Sequence, residues 1–290
     1  MRINTNVSSL IAQEANTNTS QNISSSLEKL STGLKINKAS DDASGLAIAD
    51  KLRTKANGLT QAVNNGNSAV SLVQIADNAM AEQSNILDVV KQKLIQASTA
   101  TTSLDGAKAI ASDIEKLLDQ LDNIAKQTTY NGTTLLQSSA GGTSATTKLD
   151  FQMGTNAADL VTLAAGIQSN TSGLVMESVS SAAGADFDGA TTASSAQGVA
   201  RALLDDVDTA LTKLNSWRSD VGSTQNQLES GVRNLMTQVT NTKAAESVIR
   251  DVDYAAESAN FNRQNIISQA GTYAISQANA SSQNVLRLLQ

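Results

Sequence analysis

Asp41-Asp42 is the nearest this chain comes to a chemical site. Two adjacent carboxylates could serve general acid–base catalysis or seat a metal ion. Neighbouring positions on a helix do not face each other, however. The pair also opens an apolar-periodic run, where acids complement the positive end of a helix. It reads as a helix start with Ser40 as N-cap. The chain has His 0 and Cys 0. That removes thiolate nucleophiles, serine–histidine relays and the usual zinc and haem ligands. There is no phosphate loop and no dinucleotide glycine fingerprint. The expectation is a non-enzymatic protein with no cofactor and no metal.

Composition narrows the class further. Pro is 0 in 290 residues, where average usage would give roughly 14. The commonest helix breaker is missing, so long uninterrupted helices are permitted. A net charge of −6 argues against nucleic acid. At 2% aromatics there is little for base stacking, and Trp217 reads as a packing residue. No apolar run reaches membrane-spanning length. The opening Met1-Arg2-Ile3-Asn4-Thr5 lacks the signature of a cleaved signal peptide. The Ser/Thr runs at 138–147 and 191–195 read as solvated loop or as acceptors for O-linked sugar.

The elements that organise these residues are helices. Ile3, Val7 and Leu10 start a stripe that Ile23, Leu27, Leu30 and Leu34 resume in steps of four and three. A second run takes Leu52, Ala56, Leu59, Val63, Gly66, Val70 and Val73. After an extra three-step at Val73–Ala76 it continues through Met80, Gln83, Leu87, Val90 and Leu94. Such a step is a stammer in a coiled coil. A third stripe is Ala107, Ile110, Ile114, Leu117, Leu121 and Ile124. Asn131-Gly132 signals a hairpin turn and 148–153 a strand. The Gly/Ser/Thr/Ala-rich middle predicts short hairpins and loops. A fourth helix covers about 197–250, with Val207, Leu211, Leu214, Trp217, Val221, Leu228, Val232, Leu235 and Val239 in its stripe. The last stripe is Ala259, Ile266, Ala270, Tyr273 and Gln277, ending in Val285, Leu286 and Leu289.

The pattern predicts a mainly α fold: an elongated rod of long antiparallel helices, as a coiled coil or bundle, with a small β-hairpin region mid-chain. Residues 43–100 as one helix would span about 85 Å, against about 50 Å for a compact globule of this length. Three domains are expected: 1–42 with 251–290, 43–135 with 197–250, and an outer region 136–196.

The two ends stand apart because they are nearly uncharged. Between Arg2 and Glu28 only Glu14 is charged, and after Glu257 only Arg263 and Arg287. Ordering about 36 residues costs on the order of 50 kcal/mol. Burying the apolar side chains of the first segment returns only about 15–25 kcal/mol. The ends are expected to be loose alone and to fold against other subunits. Ile3, Val7, Leu10, Ile23, Leu27, Leu30 and Leu34, with Ile266, Ala270, Tyr273, Val285, Leu286 and Leu289, are the candidate polymerisation residues.

These ends carry a resemblance. Met1-Arg2-Ile3-Asn4-Thr5-Asn6-Val7, the run 27–37, and Ala39-Ser40-Asp41-Asp42-Ala43-Ser44-Gly45 resemble the N-terminal region of bacterial flagellins. Gln269-Ala270-Gly271, Gln277-Ala278-Asn279 and Gln283-Asn284-Val285-Leu286 are similar to their C-terminal region. The resemblance covers roughly 1–135 and 197–290. It implies an extracellular flagellar filament subunit for motility, a self-assembling homopolymer exported without a cleaved signal peptide. It further implies the flagellar export apparatus, an export chaperone at the C-terminal helix, a filament cap and hook-junction proteins as partners, with no nucleic acid and no membrane. A hook–filament junction protein and a secreted adhesin or needle-tip protein are the alternatives. Two departures carry consequences. Flagellins recognised by the vertebrate innate receptor usually carry Arg-x-Arg-Glu-Leu on the second helix, where this chain reads Val89-Val90-Lys91-Gln92-Lys93; weak or no recognition is expected. Ser281-Ser282 stands where the family commonly has Pro, so the terminal helical run is expected to differ.

Overall fold

The structure is a computed structural model that describes residues 6–137, 148–163 and 167–288, with the side chains of 186, 188 and 282–288 outside the description. The fold is mainly α. The elements in chain order are α1 (Val7–Thr32), α2 (Ala43–Ala97), α3 (Leu104–Gln127), β1 (Thr129–Tyr130), β2 (Thr133–Thr134), β3 (Leu149–Gln152) and β4 (Leu160–Leu163). After them come α4 (Glu177–Ser181), a π-helical turn (Ala182–Asp186), α5 (Phe187–Gly189), α6 (Ala193–Arg250) and α7 (Tyr254–Leu288). They pack as two compact units, Met1–Asn57 with Val239–Gln290, and Gly58–Gln238.

In the first unit α1 and α7 run antiparallel. Asn6 caps α1 by accepting from Ser9 N at 3.2 Å. Gly33 ends it in the left-handed conformation (φ 74°), where an L side chain would be strained. Leu34 and Asp251 form an isolated antiparallel bridge, with Lys35 N donating to Arg250 O at 2.6 Å and Val252 N to Gly33 O at 3.0 Å. The α2 cap is Asp42, not Ser40. Asp42 Oδ1 accepts from Ser44 N at 3.0 Å and Gly45 N at 2.9 Å. Asp41 instead turns back to accept from Asn37 N and Lys38 N, both at 3.0 Å. α7 runs unbroken through Ser281-Ser282.

In the second unit α2 and α6 are antiparallel, joined by Arg218 to Asp77 at 3.0 Å and by the Lys91–Asp208 ion pair. The buried row of α6 keeps steps of four and three from Ala196 through Ala200, Leu203, Val207, Ala210 and Leu214, and again from Val221 to Leu228. On α2 the sequence reading needs correction. Ala62 and Ala69 are buried, where Val63 and Val70 were expected and are only half-buried. The doubled three-step therefore falls at Ala56–Leu59–Ala62, and the rhythm through Val73, Ala76 and Met80 is regular. This face is close-packed against both α6 and a hairpin: a Cβ on Gly66 would lie 2.5 Å from Val232 Cγ2 and 2.9 Å from Met153 Sδ, and one on Gly58 2.9 Å from Thr155 Cγ2. On α3, Leu118 and Ala125 replace Leu117 and Ile124 as the buried members.

Two antiparallel hairpins follow α3. β1–β2 turns at Asn131 (φ 49°) and Gly132 (φ 80°), the positive-φ pair that the Asn-Gly signal specifies. In β3–β4, Leu149 pairs with Leu163 and Gln152 with Leu160. Beyond the expected hairpins, the middle adds buried apolar residues and short helical turns to the loops. Leu174, Met176, Val179 and Phe187 are fully buried there, and α4, the π-helical turn and α5 pack against α3. The 138–147 Ser/Thr run lies outside the described residues.

Candidate assembly interface

The α1–α7 pair is joined by a polar seam. Asn6 Nδ2 donates to Ala278 O at 3.0 Å, Ser268 Oγ to Asn16 Oδ1 at 3.4 Å, and Tyr254 OH to Leu30 O at 3.1 Å. These three bonds keep one antiparallel register from end to end. Ser9, Ala12, Asn16, Thr19, Ile23, Ser26 and Leu30 recur at threes and fours along the α1 side of the seam. Only Thr19 and Ser26 of α1 are fully buried. Gly271 lets α7 approach closely: a Cβ there would sit 3.3 Å from Asn16 Oδ1.

This seam divides the candidate polymerisation residues. Ile23, Leu30 and Leu34 are half-buried, while Val7, Leu10, Leu27, Ile266, Ala270 and Tyr273 are exposed. Helical geometry gives the reason. At about 100° per residue, Val7 and Leu10 lie roughly opposite Ile23 and Leu30 on a straight helix. The two halves of the α1 stripe thus occupy different faces, which step counting across the polar run 12–22 had merged. On α7, by contrast, Ala259, Ile266, Ala270 and Tyr273 share one face, and it points away from α1. Tyr273 is 74% exposed and Ile266 67%. Ile3 and Leu289 lie outside the described residues, as do the side chains of Val285 and Leu286. Sequence reasoning missed Ile267 and, on α6, Val248, which is 85% exposed. Ile11 (61% exposed) is a further member, as its spacing from Val7 implies.

The electrostatics are sparse and local. Backbone N–H donation, chiefly from Lys38, holds the Asp41 carboxyl below its ordinary value. The Gly45 N–H does the same for Asp42. Both acids therefore serve the turn into α2. No cluster of three or more metal-ligating side chains occurs among the described residues. No helix among them is long and apolar enough to cross a membrane. In the 89–93 stretch, Val90 is fully buried, Lys91 pairs with Asp208 and Lys93 with Asp113 at 2.8 Å. Val89 and Gln92 are its exposed members. Trp217 is half-buried with Lys213 Nζ 5.3 Å from its ring centre.

Long helices, small hairpins and a paired-end unit with uncovered apolar faces define a helical structural protein. Residues 3–140 match the bacterial flagellin N-terminal helical region and residues 204–289 the bacterial flagellin C-terminal helical region. The chain belongs to the bacterial flagellins. It is 36% identical over 309 residues to flagellin of Bacillus subtilis (strain 168), covering 100% of both chains. It is 32% identical over 294 residues to the flagellar filament 33 kDa core protein of Treponema phagedenis, again covering 100% of both. The crystal structure of Bacillus cereus flagellin aligns at 26% identity and TM-score 0.48, covering 63% of this chain and 94% of that one.

Proposed function

We propose that this chain is the structural subunit of a bacterial flagellar filament and polymerises by coupled folding and assembly of its two ends. The observation that carries the reading is the division of labour at α1 and α7. Their mutual seam is mostly Asn, Ser, Thr, Ala and Gly, with Ile23, Leu30, Phe261 and Ile275 only half-buried, while Val7, Leu10, Ile11, Leu27, Ile266, Ile267 and Tyr273 face outwards. A polar seam stabilises pairing weakly, so the apolar faces hold most of the free energy still to be gained. Neighbouring copies supply the surface that gains it. Ile3, Val285, Leu286 and Leu289 belong to the same interface in this reading.

Filament membership supports an extracellular location, reached unfolded through the flagellar export apparatus without a cleaved signal peptide. An export chaperone at the C-terminal helix, a filament cap and hook-junction proteins are the further partners proposed. Recognition by the innate receptor is weak in this reading, because Lys91 and Lys93 are spent in ion pairs with α6 and α3. Electron microscopy of the purified chain beside versions lacking 1–36 or 255–290 tests the proposal. Filaments from the full chain and none from either truncation are expected; normal filaments from a truncated chain would sink it.

A further inference from the structure

One core position of α2 is polar where its row is otherwise apolar, and its hydrogen bonds leave part of the amide unpaired. Gln83 sits between Met80 and Leu87 in the buried row, and all three side chains are 0% exposed. Its Nε2 donates to Leu121 O of α3 at 3.1 Å and to Ser169 O of the returning middle segment at 2.9 Å. Both amide hydrogens are used, so the amide has one orientation. The reverse would aim its oxygen at two carbonyl oxygens. Gln83 Oε1 then has no partner among the described residues, and neither does the Ser169 hydroxyl beside it. A methionine of similar length would remove the unpaired Gln83 Oε1, at the expense of the donor that Ser169 O accepts from.

What the amide supplies that an apolar side chain cannot is position. The segment 167–176 has no secondary-structure period to fix it. Leu174 and Met176 are fully buried apolar anchors, and hydrophobic burial alone is tolerant of a slip along the groove. Gln83 accepts only one arrangement, because its donors need a carbonyl at one place. Ser169 is held from its other side as its N–H donates to Leu136 O at 3.0 Å. In that register the outer polar bonds also close. Thr171 N donates to Asp122 Oδ1 at 2.7 Å and Lys213 Nζ to Gly173 O at 2.6 Å. The same register puts Val175 at φ 64°, a left-handed conformation that is costly for a β-branched residue. The turn 170–176 has its own bonds, from Gly173 N to Asn170 Oδ1 at 2.8 Å and Met176 N to Thr171 O at 2.8 Å, but these fix its shape and not where it sits on α2 and α3.

We propose that Gln83 is the positioning residue that commits 167–176 to a single register on α2 and α3. The test is hydrogen exchange by mass spectrometry on the full-length chain, comparing Gln83→Met and Ser169→Ala with the parent. Gln83→Met is expected to speed exchange across 167–176 at least tenfold relative to peptides of α6, with a melting temperature close to the parent's. Ser169→Ala keeps the backbone carbonyl that Gln83 grips and is expected to leave that protection unchanged. Unchanged protection in Gln83→Met would overturn the proposal. So would a uniform loss across α2, α3 and α6 with a lowered melting temperature, which marks an ordinary packing residue. Equal loss in Ser169→Ala would transfer the role to the hydroxyl and overturn it too.

Discussion

Truncating an outward apolar side chain of the terminal helices should weaken assembly while leaving the single chain as stable as before. Leu10 is 54% exposed and Tyr273 74%. Fully burying a side chain of this kind contributes about 1.5–3 kcal/mol. The part still facing water is therefore worth about 1 kcal/mol at Leu10, and somewhat more at Tyr273, once another copy covers it. A change of 1 kcal/mol is about fivefold in an equilibrium constant. Leu10→Ala should raise the critical concentration for polymerisation about fivefold, read as the unpolymerised chain left after sedimentation. Tyr273→Ala should match or exceed it. The two positions are far apart in sequence and share no bond, so the double variant should come near the product of the two effects. In the unassembled chain both side chains already touch water, so urea unfolding should move by less than about 0.5 kcal/mol. The opposite pattern would refute the reasoning: an unchanged critical concentration with a loss above about 1 kcal/mol in the unassembled chain. Those side chains would then be held by their own molecule.

The hairpin seat gives a second prediction. Gly222→Ala, with nothing within 4 Å of its Cβ, should gain about 1 kcal/mol from helix propensity. Gly66→Ala would meet Val232 and Met153 and lose about 1–3 kcal/mol to overpacking, so its urea midpoint should fall clearly below that of Gly222→Ala. Gly33→Ala should lose about 1–2 kcal/mol in the same assay, because its φ is 74° and its Cβ would press within 3.2 Å of Tyr254 OH. The fourth concerns acid. Asp42 has a folded-state value below the ordinary carboxylate one, so its charge stabilises the fold above about pH 4 and that contribution fades as pH falls through the lowered folded value. Asp42→Asn keeps a capping oxygen without the charge. Its melting temperature should trail the parent's by a constant amount above about pH 5, and the gap should close toward pH 2.

The sequence made some elements plain and hid others, for physical reasons that differ by site. Most of the α6 stripe was readable because its buried residues are apolar at nearly every step, although Ala210 is buried where Leu211 was expected. The Asn131-Gly132 turn was readable because two successive positive φ values leave few residue choices. On α2 the larger residue attracted the reading: Val63 and Val70 are more hydrophobic than Ala62 and Ala69, but close packing against α6 and the hairpin favours small side chains on this face. Hydrophobicity reports what can be buried; fit reports what is. The middle segment was opaque because Leu174, Met176 and Phe187 follow no period, and β4 (Leu160–Leu163) carries too short a signal to stand out. Of the candidate site, the α7 face was legible because its stripe stays on one side of one helix. The α1 stripe changes sides between Ile11 and Ile23, and step counting does not register a change of side.

That change of side explains how one pair of helices can be both self-paired and unsatisfied. Had Val7 and Leu10 continued the face of Ile23 and Leu30, α1 would present a single apolar stripe and spend it on α7. The pair would then close on itself with little left to offer. Instead the distal turns of the pair meet through Asn6, Ser9, Asn16 and Ser268, groups that water solvates almost as well as the seam does. The turns nearer the α2 junction do bring Ile23 and Leu30 inward, where the Leu34–Asp251 bridge and the Gly33 cap already fix the chain. Apolar contact, Ile275 apart, is thus mainly internal where the chain is anchored and external where it is not. This gradient leaves the far turns weakly held by their own molecule and most dependent on neighbours, the arrangement that coupled folding and assembly requires.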